Sequence, residues 1–521
     1  MGAIEVASVG YSRPGGRTLL SDVSFRVGDG RHAALVGANG CGKTTLLRLL
    51  AGDLTGASGV LRIDGRAAYM PQFIGSIRDA TTVRDLLVSL SSPAVRDAAA
   101  EVAASEATAA TDGMRYANAL ARFGEAGGYD AEVLWDTCTT AALGLDLDAA
   151  GSRPVSTLSG GEQKRLALEA LLRSDAEVLL LDEPDNYLDV PAKRWLEEQL
   201  RATRKTVLLV SHDRELLARA ADRIVTLEAG GAWVHGESFT TYHAARRARL
   251  DRLDEEHRRF HEERDRLETS MKEMKRRAAM SDANAARARA LETKLRRFEA
   301  TAAPPERPKE QAVTVRLAGG RTGKRAVTIE ALGFPGIVRP FSTEIWFGER
   351  VGILGRNGTG KTHLLQLLGG GAVDHTGEAR LGARVVPGLF SQTHDHPELQ
   401  GRPVLEVVLE AGLARGPAMA ALRRYELDGC ADQPFETLSG GQQARVQVLL
   451  LELRGATLLL LDEPTDNLDL ASAEALEDGL SRFEGTVLAV THDRWLMRSF
   501  DRFLVFSTDG RVLDSPEPVF S

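Results

Sequence analysis

The string GANGCGKTT, Gly37 to Thr45, returns 318 positions later as GRNGTGKTH, Gly355 to His363. A loop of this kind belongs in one setting. Its glycines let the backbone curl until several N–H groups face one phosphate, and the helix that follows turns its positive end on the same anion. The strings RHAALVG and RVGILG just upstream read as buried strands, which is the context the motif requires. Lys43 and Lys361 are placed to reach the β- and γ-phosphates of a nucleotide, and Thr44 and Thr362 to offer hydroxyls to Mg²⁺. Gly37, Asn39, Gly40, Gly42 and Thr45 complete the first cradle, and Gly355, Asn357, Gly358, Gly360 and His363 the second. Cys41, inside the first loop, reads as a small filler, because the loop uses backbone N–H groups at that point.

More of the chain repeats. TLSGGEQKR recurs as TLSGGQQAR, with Ser159 and Ser439 separated by 280 positions. Asp182 and Asp462 end two leucine-rich strings at that same separation, and His212 and His492 follow two β-like runs at it again. A constant separation means equivalent domains. The separation falls from about 320 to 280 between Gln72 and Ser159, so the first copy carries about 40 extra residues there. Alanine-rich text such as RDAAAEVAASEATAA makes this excess, near 89–143, helical. At the strand ends, Asp182 and Asp462 are candidates to hold Mg²⁺, and Glu183 and Glu463 to polarise an attacking water. Acids there could also merely cap a sheet, but the phosphate loops upstream argue against that. His212 and His492, at identical offsets, are candidates for contact with a γ-phosphate.

The 521 residues are too many for one core and divide as 1–240, 241–312 and 313–521. The middle segment has its own texture. Leu253, Phe260, Leu267 and Met274 recur every seven residues, and Leu291, Leu295 and Phe298 form a second stripe. SDAN, Ser281 to Asn284, offers a turn and helix cap between them, so an antiparallel helical hairpin is predicted. From Met271 to Phe298 nine basic residues face three acids, although the whole chain carries a formal charge of −8. No run reaches the ~20 apolar residues of a membrane span. The N-terminal text shows no leader pattern, and Cys41, Cys138 and Cys430 are too scattered for a disulfide framework or zinc site, which fits a reducing cytoplasm.

LSGGE and LSGGQ, taken with these motifs, resemble the ATP-binding cassette signature across both halves. The resemblance implies an α/β fold of two ABC-type nucleotide-binding domains, each a P-loop NTPase core with a helical subdomain, joined by an α-helical hairpin linker. It further implies two composite ATP sites. Ser439, Gly440 and Gly441 would close over ATP held by Lys43, and Ser159, Gly160 and Gly161 over ATP held by Lys361. Gln72 in YMPQF and Gln392 in LFSQT match the glutamine that senses Mg²⁺ and the attacking water. Tyr11 and Phe334 stand where an aromatic stacks on adenine, although an aromatic there can equally be core. Two departures stand out. Thr45 faces His363 as the residue after the metal-binding threonine, and PDNYLD differs from PTDNLD after the glutamates. Both glutamates are retained, so both sites are expected to hydrolyse ATP, at unequal rates.

Intact tandem cassettes, no membrane domain and a long charged linker resemble the ABC-F family, and RAAMSDANAARARALETKLRRFE is similar to that family's linker hairpin. What this implies is a monomer whose two halves sandwich ATP, bound at the ribosomal exit site with the hairpin directed at rRNA and peptidyl-tRNA. The task would be antibiotic resistance by ribosomal protection, or translation regulation. The competing reading is the ATPase component of an ABC transporter, with the linker a solvated coiled-coil spacer or a protein-binding arm.

Overall fold

Val178–Asp182 and Leu458–Asp462 are strands buried at every position. A strand without polar alternation has to be covered on both faces, as central parallel strands are. In the computed structural model, which describes residues 2–13, 15–16, 18–106, 112–228, 230–277, 282–305, 307–308, 313–391 and 396–520, each lies in a six-stranded sheet. The first sheet runs Ala67–Met70, Val178–Asp182, Thr206–Val210, His32–Val36, Arg223–Glu228, Gly231–His235. The second repeats this order as Pro387–Phe390, Leu458–Asp462, Thr486–Val490, Arg350–Gly355, Arg502–Phe506, Val512–Ser515. Neighbours are parallel except for the last pair of each sheet. The strands feeding the two phosphate loops are therefore central. Loops, strand-end acids and histidines all emerge at the carboxyl edge, where open α/β sheets hold ligands. A three-stranded antiparallel sheet flanks each core, built on Ala3–Ser12 and Arg325–Phe334.

The excess in the first half is helical. Pro93–Glu106, Gly113–Glu125 and Gly128–Leu143 stand where the second half has only Arg415–Arg424 between Val404–Glu410 and the helix that begins at Gly440. Val95, Ala98, Phe123, Trp135 and Cys138 tie these helices into the first core, so they thicken the helical subdomain.

The two halves meet through a line of ion pairs. Arg214, almost fully buried, grips Glu477 with both terminal nitrogens, reaches Asp493 at 3.3 Å and stacks over Trp495 at 4.8 Å. In return Arg494 pairs with Glu197 and comes within 3.5 Å of Asp213, and Arg498 lies 3.1 Å from Glu215.

The linker is a hairpin of helices Phe239–Arg277 and Asp282–Ala302. At ~1.5 Å per residue the first extends about 58 Å. Leu253, Leu267, Ala288 and Leu295 are buried along the seam, and Phe260 stacks on Phe298 with ring centroids 5.1 Å apart. Lys275 bridges the two helices to Glu292 at 3.1 Å. Of the expected SDAN turn, Ser281 lies outside the described residues. Asn284 is inside the second helix, and its amide donates to the Arg277 carbonyl at 3.3 Å. Leu295→Ala is expected to cost the hairpin about 2 kcal/mol, read as faster amide hydrogen exchange through both its helices with exchange in the six-stranded sheets unchanged.

Candidate active site

The phosphate loops are shaped by their glycines. Gly42 caps the helix Lys43–Ala51 at φ 109°, and a Cβ there would meet Leu20 at 2.9 Å. Gly37 has φ 149°, and a Cβ would come 2.6 Å from the Leu227 carbonyl oxygen. No other residue holds these conformations cheaply. Lys43 Nζ donates to the carbonyls of Gly37 (2.7 Å) and Ala38 (3.2 Å), and Lys361 Nζ to those of Gly355 (2.7 Å) and Arg356 (2.9 Å). Both ammonium groups thus stand over their own cradles. Thr362 Oγ1 donates to Asp462 Oδ2 at 2.8 Å, and the hydroxyls of Thr44 and Tyr69 bear on Asp182. Hydroxyl and carboxylate oxygens converging at one point are the hard donors Mg²⁺ takes.

The two LSGG strings open helices Gly160–Arg173 and Gly440–Leu453 with capping boxes. Ser159 accepts from the Glu162 N–H while Glu162 accepts from the Ser159 N–H at 2.8 Å, and Ser439 and Gln442 do the same. The box satisfies two backbone donors and leaves the others of the first turn aimed outward, toward any anion. Each helix start faces the opposite half. Asn39 donates from its amide to the Asn467 carbonyl at 2.9 Å and from its backbone to Asp469 at 3.1 Å. Asn357 reaches the Tyr187 carbonyl at 3.4 Å, and Arg356 lies 3.9 Å from Asp189. Two cavities result. One, of about 220 Å³, is lined by Asn39, Lys43, Thr44, Thr45, Gln72 and Glu183 from the first half and Ser439, Gly440 and Gly441 from the second. The other, of about 360 Å³, brings Lys361, Thr362, His363, Asp462, Glu463 and His492 to Ser159 and Gly160.

Both glutamates sit at a strand end with φ 49°, a conformation rare for a non-glycine residue and typical of functional positions. Their surroundings differ. Glu183 accepts from the amides of Gln72 (2.7 Å) and Asn186 (2.6 Å). Burial and Asp182 push its acidity down, against the pull of Lys43 and Lys164. Glu463 accepts from the His492 N–H at 2.9 Å and lies 3.3 Å from the His492 ring. Burial, then Asp466 and Asp462, push its pKa up to about 8. Burial and the nearby Lys43 hold His212 near 3, and burial and Lys361 hold His492 well below its usual range. Both imidazoles are neutral at pH 7 and keep one N–H to donate. Among the described residues the buried ring nitrogens of His212 have no hydrogen-bond partner, which suits a phosphate oxygen as acceptor.

Phe334 and Tyr11 stand beside the loops without lining the cavities. Phe334 is buried in the second core with its ring 5.7 Å from His363, and Tyr11 lies in the antiparallel sheet paired with Leu20. Arg13 lines the first cavity instead. Gln392 lies outside the described residues. Two buried lysines, Lys164 and Lys193, escaped the sequence reading. Lys164, fully buried, donates to the carbonyl of Glu183 at 2.8 Å and of Gln72 at 3.4 Å, and burial pulls its pKa down to about 8. Its counterpart in the repeat is Ala444.

A family model for ABC transporters matches residues 20–186 and 338–466. An antibiotic resistance protein of Mycobacteroides abscessus is 52% identical over 99% of this chain and 100% of its own length. The tylosin resistance ATP-binding protein TlrC of Streptomyces fradiae is 33% identical, covering 93% of each chain. Among solved structures, a chain in a model of ribosome-bound archaeal Pelota and ABCE1 shares the fold, with a TM-score of 0.59, 21% identity and coverage of 97% of this chain and 78% of that one.

A Cβ on Gly441 would stand 2.3 Å from Asn39 Nδ2 and 2.8 Å from the Asn467 carbonyl oxygen. Gly441→Val is expected to hold the halves apart at the first site and lower ATP turnover about tenfold or more, each 1.4 kcal/mol of lost closure being a factor of ten. Unchanged turnover in a coupled-enzyme assay would place this glycine outside the reaction.

Proposed function

This chain belongs to the ABC-F family of tandem ATP-binding cassette proteins and is an ATP hydrolase, and from that premise we propose that it is a cytoplasmic ribosome-binding factor whose ATP-driven closure sets the pose of its hairpin. The observation that carries this reading is the pairing of each phosphate loop with the opposite signature, beside a hairpin with unpaired positive charge toward its tip. The working unit is a monomer of domains 1–240, 241–312 and 313–521.

Within each site the roles follow from position. Lys43 and Lys361 hold the β- and γ-phosphates. Glu183 and Glu463 orient and polarise the attacking water, and His212 and His492 donate to the γ-phosphate. Thr44, Gln72 and Asp182, and Thr362, Gln392 and Asp462, are the residues that would hold Mg²⁺, which supplies charge neutralisation of the phosphates when bound. Backbone N–H groups of Ser159 to Gly161 and Ser439 to Gly441 close the sites from across the interface. Nucleotide between the halves adds contacts to both, so it favours the closed state, and hydrolysis releases it.

The hairpin gives the output. Arg276, Arg287, Arg289, Lys294 and Arg297 are exposed and make no ion pair among the described residues, whereas Lys275, Arg277 and Arg296 are engaged by Glu292 or Glu273. Free cations on a long rigid arm suit the phosphates of rRNA and peptidyl-tRNA. Among the described residues no helix is long and apolar enough to cross a membrane. The 52% identity to a protein described as conferring antibiotic resistance favours ribosomal protection as the task over general translation regulation.

The double variant Glu183→Gln, Glu463→Gln is expected to bind ATP without hydrolysing it and to co-sediment with 70S ribosomes. Sedimentation with membranes and none with ribosomes would make the chain a transporter motor instead. Charge reversal of Arg276, Arg287 and Arg289 is expected to weaken ribosome binding and lower the slope of log affinity against log salt by up to about 3, with ATP affinity unchanged. A slope that does not move means the hairpin is not the nucleic-acid reader.

A further inference from the structure

Because both sites come from one repeat, each position from the signature onward in one has a counterpart 280 residues away in the other, and several such pairs differ in charge, three of them around the strand-end glutamates. The third residue after the strand-end glutamate is Asn186 in the first half and Asp466 in the second. The fifth residue after the signature serine is Lys164 against Ala444. The fourth residue of the helix after the glutamate loop is Lys193 against Ala473.

In the first site the charge balance is internal to one half. Asn186 is neutral and gives its amide to Glu183, and Lys164 sits beneath Asp182 and Glu183 in the same domain. The second site lacks both. Ala444 supplies no cation, and Asp466 adds a carboxylate beside Glu463. The missing cation comes from the other half. Lys193 lines the same cavity as Lys361, Asp462, Glu463 and Asp466. Its ammonium lies 3.0 Å from Asp213, and it attracts both Asp185 of its own half and Asp466 of the other. Arg494 of the second half converges on the same Asp213.

We propose that Lys193 is a positioning residue for the second site, acting in trans: its ammonium balances Asp466 only while the halves are closed, which makes hydrolysis at the Lys361 site depend on closure in a way that hydrolysis at the Lys43 site does not. Without that ammonium, Asp466 sets a bare carboxylate against Glu463 and against the triphosphate, and closure works against like-charge repulsion. The first site carries the neutral pair Asn186 and Ala473 at the same two positions and has no such requirement. The inference rests on the roles given above to Glu183 and Glu463.

Site-resolved turnover tests it. Glu183→Gln leaves the second site as the active one, and Glu463→Gln leaves the first. Lys193→Met is expected to lower kcat about tenfold or more in the Glu183→Gln chain and less than about twofold in the Glu463→Gln chain, the scale of stranding one member of a desolvated charge pair. Adding Asp466→Asn, which recreates the neutral arrangement of the first site, is expected to restore most of the lost rate. A lysine that merely holds the fold would slow both sites and would not be rescued, so equal losses or absence of rescue overturns the proposal. The rescue comparison also works in the native chain, so it decides the matter even where one glutamate variant silences both sites. Should Lys193→Met lower the melting temperature, Lys193→Arg keeps the charge; loss of second-site turnover to the Met level in a folded Arg variant overturns the balancing role. Glutamate variants that each leave total turnover intact would instead show, before Lys193 is touched, that the assignment of Glu183 and Glu463 fails and this inference with it.

Discussion

Each phosphate loop is finished by backbone from the other half, and the rest of the molecule is arranged around that fact. A helix start leaves its first N–H groups without partners in its own chain segment. The capping boxes at Ser159 and Ser439 satisfy some of them and point the remainder across the interface. A Cβ on Gly441 would stand 2.3 Å from the Asn39 side-chain amide nitrogen, so the bare backbone of this glycine is what lets the Asn39 amide approach. The buried arginines Arg214 and Arg494 run behind this contact and fix its register. A buried charge left alone costs several kcal/mol, so these pairs specify one mode of docking more than they add stability.

The hairpin can report on closure because of how it is rooted. Phe239 and Tyr242 belong to the first core, the Tyr242 hydroxyl lies 3.0 Å from Thr226 Oγ1, and Arg249 pairs with Glu228 while lying over Trp233. One turn into the helix, His243 stands 3.4 Å from Glu474 of the second half. The arm is thus fixed to one domain at its base and grazes the other. A long stiff lever rooted in one body converts a small rotation at the interface into a larger displacement at its tip, without any flexible joint among its described residues.

Much of this was legible in the sequence because the relevant signals are local. Glycine spacing, apolar strands ending in acids, capping boxes and a seven-residue stripe each follow from bonds within a few residues, and the repeat multiplies their weight. The cross-domain completion of the sites was not in any spacing; it came from resemblance to a family, and the distances from Asn39 to Asn467 and from Asn357 to Tyr187 give it a geometry. Tyr11 and Phe334 show the limit from the other side. An aromatic upstream of a phosphate loop reads the same whether it faces a ligand or the core, and Phe334 is buried among core residues with its ring still 5.7 Å from His363 of the loop. Lys164 and Lys193 were missed for a related reason. A lysine on an amphipathic helix normally reads as solvated surface, and only the tertiary arrangement of acids around each one shows that it is buried.

Net charge and local charge do different work in this chain. A body with an overall charge of −8 repels nucleic acid at long range, while a tip with nine basic residues against three acids attracts it at short range. Several of those basic side chains are occupied by glutamates one helical turn away, such as Glu273 and Glu292, which stiffen the arm and temper its field. The exposed remainder is too few for tight binding to an arbitrary duplex at physiological salt, where each phosphate contact is discounted by screening. For the proposed ribosome-bound state, the arm and the domain surfaces would have to engage together, and closure of both composite sites would set the relative positions of those surfaces. In that arrangement the nucleotide would supply no affinity for RNA itself; it would decide whether the separate weak contacts can be made at once.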